Sequence, residues 1–381
     1  MKIIIAPDSF KESMTSKEAA DIIEKGFRAI FPDSDYTKIP VADGGEGTVQ
    51  SLVDATGGRI IEKTVTGPLG TPVSAIYGLL GDGRTAVIEM AEASGLHLVP
   101  RHLRNPLKTT TRGTGELIAD AVSHGVTEII VGLGGSATND GGTGMASALG
   151  VRFLNDDGQE IADGGGSLHH LASIDTSGIS PDIQRIKVRA ACDVENPLTG
   201  ENGASFVFGP QKGASEETKL LLDQNLQHFA SVLKHRLGIE ADKVKGAGAA
   251  GGLGAGLIAF LHAELKSGIE IILDTLSFSD QIRGADLVIT GEGQIDGQTV
   301  FGKTPAGIAK CADAQGIPVI ALAGSLGKGF ENVYSEGITA AFSIVSGAVS
   351  LEEALASGRF NLESTARNIA ALYRTAKKAR L

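Results

Sequence analysis

Apolar and polar positions follow two different rhythms along this chain. Residues 2–6 are apolar on both faces after the first lysine, which predicts a fully buried strand, and Pro7, Asp8, Ser9, Phe10 and Lys11 follow as a loop. Thr15 with Glu18 behind it forms a capping-box signature, and Ala19, Ile22, Ile23, Phe27 and Ile30 recur at helical spacing. A second strand is predicted over 36–41, closed by Asp43-Gly44-Gly45-Glu46-Gly47 and followed by a helix from Thr48. The rhythm then changes to strand-like segments over 59–90, separated by Gly67-Pro68-Leu69-Gly70 and Gly81-Asp82-Gly83, as in an antiparallel meander. Further strands are predicted over 129–131, 151–154 and 186–192, with helices over 113–123 and 217–237. The second of these helices carries Leu221, Leu222, Leu226, Phe229 and Leu233 on one face. A glycine run over 246–256 leads into a buried helix reaching 265. From 286 the first rhythm returns, with strands over 287–290, 318–323 and 340–345, a helix from Pro305 and a last helix over 361–378.

Strands alternating with helices at both ends predict an α/β fold: a flavodoxin-like, parallel, doubly wound domain built from residues 1–60 and 280–381. The middle, 61–279, is expected to form a second α/β domain with a mixed sheet, inserted into the first. In open parallel sheets ligands bind beyond the carboxyl ends of the strands, where the polar glycine-rich loops of this chain fall. The expected active site is therefore a cleft between the two domains.

Composition narrows the classes. The chain has 52 glycines, only 4% aromatic residues and no tryptophan, and the glycines cluster at the ends of apolar runs, as in an enzyme with backbone-built loops. A net charge of −11 argues against nucleic acid or an anionic membrane surface as partner, so anionic small molecules must be bound locally. No apolar run approaches the ~18 residues of a membrane span. Cys192 and Cys311 lack metal-ligand spacing. The expected setting is cytoplasmic, and the sequence leaves the oligomeric state open, a homo-oligomer included.

The stretch 127–150, TEIIVGLGGSATNDGGTGMASALG, holds six glycines between Gly132 and Gly144 and must be strand, irregular loop, then helix, because each glycine inside a regular element costs roughly 1 kcal/mol. Such a loop can close its amides on an anion. Its Gly132-x-Gly134-x-x-Ala137 matches a dinucleotide fingerprint by letter, but Asn139-Asp140-Gly141-Gly142 interrupts the helix that fingerprint needs at once. Gly297-x4-Gly302-Lys303-Thr304 is a literal Walker A string, yet it starts well past the strand end expected at Thr290, and Pro305 follows its threonine. More informative are the acids at strand ends: Asp8, Asp43, Asp193, Glu292 and Asp296. Phosphoryl transfer needs carboxylates for Mg²⁺, a base for the acceptor hydroxyl, and cations or amides for the phosphoryl oxygens. Lys11, Lys212 and Lys303 sit in comparable loops.

Several phrases together resemble the bacterial glycerate kinases of the type related to the enzymes of glyoxylate and glucarate breakdown. They are IAPDSFKES at 5–13, PVADGGEGT at 40–48, TRGTGE at 111–116, GGSATNDGG at 134–142, ACDVENPL at 191–198, FGPQKG at 208–213, GAGAAGG at 246–252 and TGEGQIDGQT at 290–299, followed by Gly302-Lys303. The resemblance implies a flavodoxin-like domain with a second α/β domain, and ATP-dependent phosphorylation of D-glycerate to 2-phosphoglycerate. Transfer to the other hydroxyl, giving 3-phosphoglycerate, is the alternative within that class; an NAD(P)-dependent oxidoreductase of a hydroxy acid is the rival from another class.

Residue chemistry and position then suggest roles. Asp193 is the first choice for the base, with Asp296 and Lys303 beside it in catalysis, and Glu292 and Asp296 for Mg²⁺, Asp43 standing as alternate. Gly134, Gly135, Ser136, Gly251, Gly252 and Lys212 are expected at the ATP phosphates. Asp8, Ser9, Lys11, Asp43 and Arg112 are expected at the glycerate.

Overall fold

The structure is a computed structural model and describes residues 1–300 and 302–379. Its chain divides into two compact units: residues 1–43, 54–56 and 268–381 in one, and residues 44–53 and 57–267 in the other.

The terminal unit is built on five parallel strands in the order Asp35–Lys38, Lys2–Pro7, Leu287–Ile295, Val319–Leu326, Ala340–Ser343. This is the 2-1-3-4-5 order of flavodoxin-like sheets, with its switch point between Lys2–Pro7 and Leu287–Ile295. Ile3, Ile5, Leu287, Ile289 and Leu322 put their side chains into one core with Ile23 and Phe27 of the helix Ser16–Arg28 and with Leu362 and Ala366 of the helix Gly358–Ala379. Thr15 caps the first helix, its hydroxyl accepting the Glu18 amide while the Glu18 carboxylate accepts the Thr15 amide. Gly26 lets the two helices meet, since a Cβ there would stand 2.8 Å from the Ala366 Cβ.

Two strands in this sheet run further than the sequence suggests. Leu287–Ile295 extends past Thr290, pairing Glu292 with Ala323 and Gln294 with Ser325, and Val319–Leu326 lengthens to match. The glycines that read as loop, Gly291 and Gly293, are instead strand positions, and at Gly291 there is no room for a side chain: a Cβ there would lie 2.2 Å from the Leu322 carbonyl oxygen. The Walker-like string therefore starts just after a strand and runs into the helix Thr304–Asp313, with Phe301 outside the described residues. Gly297 stands only two residues beyond the end of that strand at Ile295.

The other unit carries a six-stranded mixed sheet in the order Glu264–Lys266, Lys187–Ala191, Glu128–Gly132, Thr85–Glu89, Pro72–Leu79, Arg59–Thr66. The first four are parallel, and the last two close it as the expected antiparallel meander. In the helix Glu216–Leu237 the face is Leu222, Leu226, Phe229 and Leu233; Leu221 is exposed, one position off the helical stripe. The helix Ala249–Leu261 stops short of 265, where Glu264–Lys266 pairs as an edge strand. Its Gly251 (φ +67°) and Gly252 (φ +89°) are buried against the 138–141 loop, and a Cβ on Gly251 would fall 1.9 Å from the Thr138 carbonyl oxygen. No helix of the described residues is long and apolar enough to cross a membrane.

Gly251→Ala must both adopt a left-handed backbone and displace Thr138, for about 3 kcal/mol of destabilisation. Gly238→Ala, at a left-handed helix end with nothing within 4 Å, costs only about 1 kcal/mol. Thermal denaturation should rank the variants in that order, and equal melting temperatures would refute the packing argument.

Candidate active site

The strands of the terminal unit all point their carboxyl ends to one edge, so residues just beyond them are brought together. Asp8 directly follows Lys2–Pro7, and its amide still donates to the Gly291 carbonyl at 2.8 Å, which holds it beside the strand carrying Glu292. The Asp8 carboxylate accepts the Ser9 amide at 2.6 Å and the Thr304 hydroxyl at 2.6 Å. Glu292 is buried and accepts the Thr299 hydroxyl at 3.0 Å. Asp43, Lys11 and Lys303 line the same cavity, of about 420 Å³, together with Ser9, Phe10 and Ser13.

Burial sets the protonation of these acids. Desolvation pushes Asp8 up to about 6, with the Asp43 charge adding to it, while the hydrogen bonds from Thr304 and Ser9 and the Lys11 charge hold it back. Desolvation likewise pushes Glu292 up to about 7; Lys303 and Thr299 oppose the rise, and Asp8 and Asp43 add to it. Lys303 is the N-cap of the helix Thr304–Asp313, whose first turn brings Thr304 to Asp8. The result is a pocket with hard oxygen donors, one lysine at a helix start, and carboxyls whose protons exchange near neutrality.

Asp296 is not part of this lining. Its carboxylate closes a turn, accepting the Gln298 amide at 2.8 Å and the Gln294 side-chain amide at 3.0 Å. The Gln298 bond holds its carboxyl below the usual range. The pairing of Glu292 with Asp296 as twin metal ligands thus lacks a shared facing.

In the other unit, the loop after Glu128–Gly132 leaves Gly134 and Gly135 exposed, and the next helix, Thr143–Ala148, begins only after Gly142. That delay removes the dinucleotide fingerprint. Lys212 is fully buried and braces the loop from behind, donating to the Ser136 hydroxyl and the Thr138 carbonyl, each at 2.7 Å. Desolvation lowers it to about 7, with Asp140 pulling the other way. Its ammonium serves the loop from inside, in contrast to the expected phosphate contact. Asp140, buried, accepts the Thr111 amide and hydroxyl and the Gly142 and Gly144 amides, tying the loop to the start of the helix Arg112–Ser123. Gly251 and Gly252 buttress the loop rather than facing a ligand, and the Gly252 amide donates to the Gly248 carbonyl. Arg112 forks Asp163 at 2.7 and 2.9 Å, so the clamp expected on a substrate carboxylate holds a carboxylate of the chain itself. Asp193 is exposed just past Lys187–Ala191, in the other unit.

Sequence reasoning missed three groups. Thr299 and Thr304 supply hydroxyls to the two shifted acids, and only their place one or two turns after an acidic strand end hints at it. Glu89, buried at the end of Thr85–Glu89, accepts the Val49 amide at 2.9 Å at the start of the helix Thr48–Thr56 and is pushed by burial to about 7. The apolar wall of Ile344, Val345, Leu351, Ala354 and Leu355 completes the 420 Å³ cavity and carries no polar signature in the sequence.

A profile described as "Glycerate kinase family" matches residues 3–374. A glycerate kinase of Bacillus subtilis is 59% identical over 377 residues, covering 99% of both chains. The glycerate 2-kinase of Escherichia coli is 54% identical over 371 residues, covering 97% of both. The crystal structure of a protein titled putative glycerate kinase 2 from Salmonella typhimurium superposes with a TM-score of 0.93 at 52% identity, over 99% of both chains.

The raised acids give stability a sign. The folded chain keeps a proton on Glu292 up to about pH 7, whereas an unfolded glutamate loses it near ~4.3. Its contribution is therefore complete below about pH 4 and lost as pH rises through about 7. Without divalent cations, the melting temperature should fall between pH 5 and 7.5, less steeply in Glu292→Gln, which stays neutral. Equal slopes would show that Glu292 is ordinary in the folded state.

Proposed function

We propose, from the premise that this chain belongs to the glycerate kinase family and is a kinase with ATP as co-substrate, that it phosphorylates D-glycerate at the acid-lined cavity of its terminal unit. The observation that carries this placement is the convergence of Asp8, Asp43, Glu292 and Lys303 on one cavity at the switch point of a parallel sheet. The 2-position is the proposed acceptor, after the activity in the name of the E. coli relative, with small organic acid catabolism as the setting.

In the proposed reaction the acceptor hydroxyl oxygen attacks the γ-phosphorus, the bond to the β–γ bridging oxygen breaks, and ADP leaves with that electron pair. Asp8 takes the hydroxyl proton. It takes the role first given to Asp193: it lines the cavity and its carboxyl sits at about 6, close to the operating range of a general base. The Ser9 amide and Thr304 hydroxyl fix its orientation. Lys303, at the start of the helix Thr304–Asp313, receives phosphoryl oxygens. Lys11 is proposed for the glycerate carboxylate, in place of Arg112.

The donor set suits Mg²⁺. Among the described residues no three His, Cys, Asp or Glu side chains form a ready cage, and Mg²⁺ is usually held by one or two carboxylates with substrate phosphates and water. Acids raised by burial and by a neighbouring carboxylate are those a cation would relieve. Glu292 and Asp43 would hold it, Asp43 taking the place first given to Asp296. When bound, the ion would withdraw charge from the phosphate oxygens. The exposed Gly134-Gly135 turn, set by Ser136 and Lys212, is proposed separately as an anion-binding loop of the other unit.

Asp8→Asn should lower kcat by about 10²–10⁴-fold while leaving nucleotide affinity within a few fold. The rise of wild-type kcat/KM between pH 5 and 7 should vanish from the residual activity. A variant with near-normal kcat would end this assignment. The product of ATP, Mg²⁺ and D-glycerate, read by ³¹P NMR, should show phosphate on C2; a C3 resonance would correct the position, and no transfer would refute the kinase reading.

A further inference from the structure

The acids occupy only one side of the cavity. In sheet order, Asp43 follows Asp35–Lys38, Asp8 follows Lys2–Pro7, and Glu292 lies in Leu287–Ile295. Next come Gly324 and Ser325 of Val319–Leu326, and last Ile344 and Val345 beyond Ala340–Ser343. Strands sit ~4.8 Å apart, so the apolar end lies ~10 Å from the strand of Glu292 and ~15 Å from that of Asp8. Between the two ends the wall is largely bare backbone. Gly293 and Gly324 lie against each other there, and a Cβ on Gly324 would stand 2.4 Å from the Gly293 carbonyl oxygen. The volume of about 420 Å³ falls within the ~300–1,000 Å³ of sites for cofactor-sized ligands and is generous for a three-carbon acid.

The far wall has no use in binding glycerate, which carries polar groups on every carbon. Ile344 is buried, Val345, Ala354 and Leu355 are half-buried, and Leu351 at the lip is 73% exposed. An apolar side chain so exposed beside a cavity offers area that a flat aromatic ligand would cover.

We infer that this cavity seats the adenine nucleotide lengthwise, its base against Phe10, Ile344, Val345, Leu351, Ala354 and Leu355 and its phosphates toward Lys303 and the acids. The inference rests on the kinase reading above and adds where the nucleotide binds and which way it runs. The Ser13 hydroxyl donates to the Leu355 carbonyl at 3.2 Å, tying the apolar wall to the loop that begins at Asp8. The base thus docks on a wall joined to the loop that bears the proposed proton acceptor. Acceptor glycerate is left the Asp8–Asp43 side.

The test compares Ala354→Trp, which fills the apolar end from a partly exposed helix, and Val345→Glu, which charges it, with the wild-type enzyme. Affinity for a fluorescent N-methylanthraniloyl ADP with Mg²⁺ is titrated directly, KM for D-glycerate is measured at saturating ATP, and circular dichroism checks that each variant folds. Both variants should bind the nucleotide about tenfold or more weakly, with the glycerate KM moving less than about twofold. Wild-type nucleotide affinity in both folded variants, or a loss confined to the glycerate KM, would overturn the inference while leaving the kinase reading intact. Absence of phosphoryl transfer by the wild-type enzyme would overturn both.

Discussion

Removing like-charged carboxyls from water is the constraint on which the candidate active site depends. A parallel sheet ends all its strands on one side, so the acids at those ends share one partly dry space. There Asp8 and Glu292 hold protons up to about 6 and about 7, chiefly through burial, with the Asp43 charge adding to both and the Asp8 charge adding to Glu292. A protein retains such an arrangement at a cost to its own stability, because the acids lose favourable solvation without a full set of cationic partners. A divalent cation and its phosphate ligands would supply what is missing. In the proposed reading, binding of a magnesium nucleotide would offset that liability of the free protein.

The buried charges of the other unit follow a different logic. Lys212 and Asp140 are both deeply buried, and both spend their hydrogen bonds inside the protein: Lys212 on Ser136 and Thr138, Asp140 on Thr111, Gly142 and Gly144. Their work is to fix the backbone of 134–142 so that Gly134 and Gly135 stand exposed in a set conformation. A strongly shifted titratable group therefore has two meanings here. Facing a cavity, it marks chemistry; facing a backbone carbonyl, it marks a brace.

Much of this was legible in the sequence, and the failures have physical reasons. The doubly wound rhythm was readable because buried parallel strands are short apolar runs, and the meander was readable from its glycine turns. Asp8, Asp43 and Glu292 stood out as acids within a few residues of such runs, and Lys303 as a lysine in a glycine-containing loop. Glycine misled in both directions. Gly291 and Gly293 looked like loop but lie in a strand, because the neighbouring strand leaves no space for a side chain at Gly291. Gly251 and Gly252 looked like a phosphate cradle but exist for the close approach of another backbone. Arg112 and Lys212 looked like ligand contacts because nothing local reveals Asp163 or Ser136, which are distant in sequence. The apolar wall was invisible because Ile344 and Leu355 read as ordinary core residues until the cavity beside them is seen.

The most direct test is the proton balance of nucleotide binding. Calorimetric titration of MgADP at pH 6.5, in buffers of different ionisation enthalpy, measures the protons exchanged when the ligand binds. Arrival of the cation should ionise Asp8 and Glu292, so the account predicts net proton release, reduced in Glu292→Gln. Proton uptake, or a release identical in that variant, would contradict the claim that the buried acids receive the magnesium nucleotide.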